Sequence, residues 1–134
     1  MRLPTKFVIV FLIAASVSLV EGQTLQILGS FNFTNGAGPI AGLTEGHDGN
    51  FYGTTQIGGI TNSTFPYGIG TVFKLTTNGT LATLASFSGS NGANPGAGLV
   101  QASDGNFYGT TAKGGANGNG TVFKVTTSGL LTPL

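Results

Sequence analysis

From residue 24 onward the apolar residues come in short runs, separated by clusters of Gly, Asn, Asp and Ser. Gly and the β-branched Thr and Val interrupt every window long enough to hold a helix, so the pattern is that of strands. In the second half of the chain it predicts strands over residues 97–102, 106–112, 121–126 and 130–134. Along Thr121-Val122-Phe123-Lys124-Val125, one face carries Phe123 and Val125. The other carries Val122 beside a lysine that can extend to solvent. Residues 81–87 are apolar on both faces and expect cover on both sides. Asp104-Gly105-Asn106, Ser128-Gly129 and Asn78-Gly79 are tight-turn signals, because Gly tolerates positive φ and Asp or Asn bonds its own local backbone. Four short strands with tight links read as an antiparallel meander in an all-β chain.

The pattern occurs twice. Asp48-Gly49-Asn50-Phe51-Tyr52-Gly53-Thr54-Thr55 returns as residues 104–111, an offset of 56 that also relates Leu25 to Leu81, Phe31 to Phe87, Pro39 to Pro95 and Leu43 to Leu99. Past Gly58-Gly59 and Gly114-Gly115 the offset falls to 50, so that Gly70 to Lys74 matches Gly120 to Lys124. The first copy thus carries six extra residues between its Gly pair and Gly-Thr-Val-Phe-Lys. A unit of about 50 residues is the period of repeat arrays and propeller blades. The organisation expected is a leader over residues 1–22, a first unit over 23–80 and a second over 81–134, cut short in its last strand.

Asp-Gly-Asn-Phe-Tyr-Gly-Thr-Thr, a Gly-Gly pair, Gly-Thr-Val-Phe-Lys and a Leu-containing strand ending in Ser-Phe together resemble the GloVer tandem repeat of secreted bacterial proteins, over residues 25–134. The resemblance implies a propeller-like array, displayed at the cell surface in many members through a separate C-terminal sorting signal, with no established chemistry. The Gly pair is also similar to that of kelch repeats, but the chain has no Trp and lacks their aromatic set. Two units cannot close a ring of about four to eight blades. The expectation is therefore a piece of a longer array, or a chain that associates to cover open edges.

Composition narrows the function. Arg2 and Lys6 precede an uncharged, mostly apolar run over residues 7–20, which reads as a secretory signal peptide cleaved after Gly22. A retained helical anchor is the competing reading, disfavoured by the run's length. Without the leader, Lys74, Lys113 and Lys124 face Glu45, Asp48 and Asp104, a net charge of zero with His47 neutral. Such a chain cannot release many counterions, which argues against nucleic acid as a partner. The absence of Cys removes disulfides and thiolate metal sites. A secreted or cell-surface protein with no membrane contact after cleavage follows.

No residue constellation identifies a reaction. His47 beside Asp48 invites a catalytic reading, but the second copy has Ser103 there, and a turn role suffices. Asp48 with Asn50, and Asp104 with Asn106, could be read as calcium ligands, yet each turn offers one carboxylate where calcium takes six to eight oxygens. No metal or cofactor is expected. Of Phe51-Tyr52 and Phe107-Tyr108, alternation sends one ring of each pair into the core. In a meander the tight turns share one end, and the long links over residues 32–40, 56–69, 88–96 and 112–119 share the other. That loop end carries Asn62, Phe65, Tyr67, Asn91, Asn94, Lys113 and Asn117, neutral amides with a few aromatics that suit a glycan or another protein. The sequons at Asn32, Asn62, Asn78 and Asn119 matter only in a glycosylating host. A binding, adhesion or structural module is expected. The alternative is part of a propeller hydrolase or lyase acting on polysaccharide, although such chemistry asks for two placed carboxyls.

Overall fold

A computed structural model describes residues 24–134, so the leader expected over residues 1–22 lies outside the described residues. Among the described residues the chain is all-β with no helix, and it forms two antiparallel sheets that are not closed into a barrel. The first sheet has the order β1 (Thr44–Glu45), β2 (Phe51–Thr55), β3 (Thr71–Leu75), β4 (Leu81–Ser86). The second runs β5 (Ala93–Pro95), β7 (Phe107–Lys113), β8 (Val122–Val125), β9 (Leu131–Pro133), with β6 (Val100–Gln101) also paired to β7. Each expected strand of the second copy is present, three of them shortened and β7 at full length but displaced by one residue. The sheets divide after Ser86, so β4 hydrogen-bonds within the first sheet although the repeat phase groups it with the second copy.

Register fixes which end is which. Phe51 pairs with Leu75 and with Glu45, while Thr55 pairs with Thr71 and Ser86 also pairs with Thr71. Links 46–50 and 76–80 are thus at one end, and links 56–70 and 87–92 at the other. The long loops hold one another there: Gly59 N–H donates to Phe33 O and Gly115 N–H to Gly89 O, both at 2.8 Å. Two features depart from the expected meander. The segment 88–96, expected as loop, contains β5, whose Ala93 and Pro95 pair with Lys113 and Thr111. A register shift between Val72 and Phe73 lets β4 pass from Ala85 to Thr83, so Leu84 has no partner across the ladder.

The repeated motif places its residues alike in both sheets. The last Thr of the octapeptide and the Thr of Gly-Thr-Val-Phe-Lys form a hydroxyl pair at the loop end, Thr55–Thr71 at 2.7 Å and Thr111–Thr121 at 2.9 Å. Gly36 and Gly92 lie over these pairs at φ of 122° and 120°, where an added Cβ would fall within 3 Å of both hydroxyls. No residue with a side chain fits that conformation and space. Phe31 meets Phe73 edge-on at 5.0 Å, and Phe87 meets Phe123 in the same way at 5.1 Å.

The core lies between the sheets. Tyr52 and Val72, on one face of the first sheet, pack with Phe107, Phe123 and Val125, on the facing side of the second, and with Phe87, Ala93 and Leu99. Tyr52 and Phe107 have ring centroids 4.1 Å apart. Each such large apolar side chain contributes about 1.5–3 kcal/mol by leaving water. Directional bonds set the sheets' register on each other. Thr44 Oγ1 donates to Leu99 O at 2.5 Å, Thr54 Oγ1 to Ala97 O at 3.2 Å, His47 N–H to Gln101 Oε1 at 2.7 Å and Asn94 N–H to Ile69 O at 2.8 Å.

Candidate functional site

The turn end is where acids, a phenol and a lysine meet. In the link 46–50, Asp48 Oδ1 accepts from Asn50 N–H at 3.1 Å, and Gly49 supplies the φ of 74° that the tight turn requires. Asp48 Oδ2 then accepts from Asn50 Nδ2, from the Tyr52 hydroxyl and from Lys74 Nζ, at 2.8, 2.8 and 2.9 Å. Lys74 reaches it because Lys74 lies directly across the ladder from Tyr52, with Nζ 5.5 Å from that ring's centroid. The ammonium of Lys74, aided by the Asn50 and Tyr52 bonds, holds the Asp48 carboxyl well below the usual carboxylate range. The same bond raises Lys74, and burial, together with the bond to Asp48, raises Tyr52. Asp104 repeats the arrangement with Asn106 Nδ2 and the Tyr108 hydroxyl, both at 2.8 Å, and is lowered chiefly by Asn106.

These groups serve one another. A charge-neutralised carboxylate with its lone pairs engaged is a hairpin clasp, poorly disposed to act as base or nucleophile. His47 is an exposed turn residue whose backbone N–H bonds Gln101 across the sheets. Among the described residues no three His, Asp or Glu side chains gather as a metal site would need. The Asp–Tyr–Lys clasp was readable only in part: the Asp-x-x-x-Tyr spacing occurs in both copies, but the Lys partner depends on strand register.

At the loop end the residues singled out from the sequence divide in two. Some are engaged in the fold: Asn62 Oδ1 accepts from Thr64 and Phe65 N–H, and Asn91 Oδ1 accepts from Ser88 N–H. Asn94, at a φ of 53°, donates Nδ2 to Gln56 O, and Phe65 packs on the core beside Ile69 and Gly89. Tyr67, Lys113 and Asn117 are exposed, and their side chains have no hydrogen-bond partner among the described residues. Asn117 borders an open hollow of about 480 Å³ with Ser90, Gly120, Val122 and Leu134.

The family model described as the Gloeobacter/Verrucomicrobia repeat matches residues 14–134. The chain belongs to this repeat family. That agrees with the doubled octapeptide and with the two sheets it builds. No curated protein and no solved structure matches the chain significantly.

Proposed function

We propose that this Gloeobacter/Verrucomicrobia-type repeat protein is an exported, propeller-like module that works by binding, adhesion or display, with its loop end as the presenting face. One observation carries the reading: the repeated polar motif of the turn end, Asp48 with Asn50, Tyr52 and Lys74 and Asp104 with Asn106 and Tyr108, is spent on itself, whereas Tyr67, Lys113 and Asn117 at the loop end are exposed without a partner among the described residues. An exposed phenol, an amide and a single cation among Asn- and Gly-rich loops match a neutral, hydroxyl-rich ligand such as a glycan, or a polar protein surface. The polysaccharide hydrolase or lyase alternative gains nothing from the geometry. The described carboxyl side chains, Glu45, Asp48 and Asp104, all lie toward the turn end.

A glycan array followed by calorimetry on the best hit tests this. Tyr67→Ala and Lys113→Ala are each expected to weaken binding by about tenfold, the scale of one anchoring contact. Binding that survives both substitutions would place the ligand elsewhere and overturn the assignment of the face.

A further inference from the structure

The interface between the two sheets has two halves, and the repeat makes each half twice. The first sheet offers a rear half, Tyr52, Thr54, Val72 and the carbonyls of Ile69 and Gly70, to the second sheet. The second offers a front half, Phe87, Asn94, Ala97, Gln101 and Phe107, in return. Among the described residues, the second sheet's own rear half is uncovered and the first sheet's own front half is covered only in part. Val72 is fully buried, while its counterpart Val122 is 51% exposed; Val100 at the place of Thr44 is 67% exposed. At the opposite face Phe51, counterpart of the fully buried Phe107, is only half-buried.

We infer that a second copy of this chain docks its front half onto the rear half of the second sheet, repeating between molecules the stacking that exists within one. Much of the recognition chemistry is retained. Tyr108 stands where Tyr52 does, ready to meet Phe51 of the copy as Tyr52 meets Phe107. Thr110 stands for Thr54, whose hydroxyl bonds Ala97 O, and the copy presents Ala41 at that place. Ser103 N–H stands for His47 N–H, which bonds Gln101 Oε1; the copy presents Glu45, whose carboxylate accepts the same bond.

The backbone agrees as well. Asn94 donates its N–H to Ile69 O from a φ of 53°, and its counterpart Gly38 already holds a φ of 66°. The hollow beside Val122 is the matching socket. Around the equivalent Gly70 and Val72, that space is taken by the second sheet: Phe87 N–H bonds Gly70 O, and the Pro95 ring lies against Gly70.

Three differences set the strength. Val100 cannot donate as Thr44 does, and Gly38 lacks the amide by which Asn94 bonds Gln56 O. Ala102 replaces Gly46, where a Cβ would come within 3.1 Å of the incoming ring. Association is therefore weaker than stacking within the chain, and Ala102→Gly tightens it.

Because the two faces differ, the contact is head-to-tail and each complex keeps one free face of each kind. The experiment is sedimentation of the exported protein over a concentration series, with two face variants. The expected weight-average mass rises roughly twofold or more with concentration, as head-to-tail addition requires. Val122→Arg, which spoils the rear face, and Phe51→Arg, which spoils the front, each remain monomeric. Their mixture gives a one-to-one dimer and nothing larger, since only one intact pair of faces is present. That mixing also shows both variants to be folded; if Phe51→Arg melts out, Glu45→Arg takes its place. A wild-type chain that stays monomeric, a variant that still associates, or a mixture that does not pair would each overturn the inference. None of these outcomes depends on glycan binding at Tyr67.

Discussion

The two sheets carry the same octapeptide and the same Gly-Thr-Val-Phe-Lys, yet the same positions have opposite fates. In the first sheet Tyr52 and Val72 are sealed under the second sheet; in the second sheet Tyr108 is half-buried and Val122 is exposed. Local structure is alike at these positions in both, down to the Asp–Tyr clasp and the Thr hydroxyl pair. The difference is entirely one of neighbours. Burial at the Tyr52/Tyr108 and Val72/Val122 positions therefore reports whether another sheet lies against that face, whereas Phe73 and Leu75 are covered by Phe31, Leu43 and Leu81 rather than by the second sheet.

Paired substitutions break the comparison most sharply. Tyr52→Ala removes a fully buried ring and is expected to cost about 3–5 kcal/mol in denaturant unfolding, whereas Tyr108→Ala costs about 1 kcal/mol or less. Equal losses would mean that the two sheets do not stack as described. Val72→Ala should cost about 1–3 kcal/mol and Val122→Ala within about 0.5 kcal/mol, measured in the same way at low protein concentration.

Acid sharpens the comparison at the turn end. Asp48 is held below its ordinary range in the folded chain, so its clasp contributes stability above about pH 4 and loses it as the pH falls through that value toward the lowered one. The ion pair with Lys74 is partly exposed, which limits the contribution to about 0.2–1 kcal/mol. Melting curves between pH 6 and 2.5, a range of roughly this titration, should show Asp48→Asn flattening the acid limb more than Asp104→Asn, because among the described residues Asp104 has no lysine within ion-pair distance.

An effect of comparable size and opposite sign is expected at the front of the first sheet, where Phe31, Leu43, Phe73 and Leu81 line a crevice of about 20 Å³ next to Gly29. The counterpart of Gly29 in the second copy is Ala85. Gly29→Ala should raise stability by about 0.4–1 kcal/mol through chain entropy, provided Leu81 yields slightly to a Cβ at 3.3 Å.

Much of the fold was legible because its signals are local. Asp-Gly-Asn turns, alternation along Thr121 to Val125 and the shared end of the long loops follow from residues within a few positions of each other. β5 was not legible: Asn94 and Pro95 read as turn formers, and only pairing with the far end of β7 makes them a strand. The register shift at Leu84 leaves no local trace either. At the loop end, composition marked Asn62, Asn91 and Asn94 as candidates for a ligand, but their amides are engaged with the backbone of their own loops or of the neighbouring sheet. Amide-rich loops look alike in sequence whether the amides serve turns or ligands.

The stacking of one repeat face on another is the claim on which the rest depends, and the ring contact between Tyr52 and Phe107 reports it directly. In the monomeric Val122→Arg variant, nuclear Overhauser effects are expected between the ring protons of Tyr52 and Phe107, whose centroids are 4.1 Å apart, and none between Tyr108 and any Phe51 ring. A Tyr52 ring that shows no contact with Phe107, and exchanges with solvent as freely as Tyr108, would contradict the account.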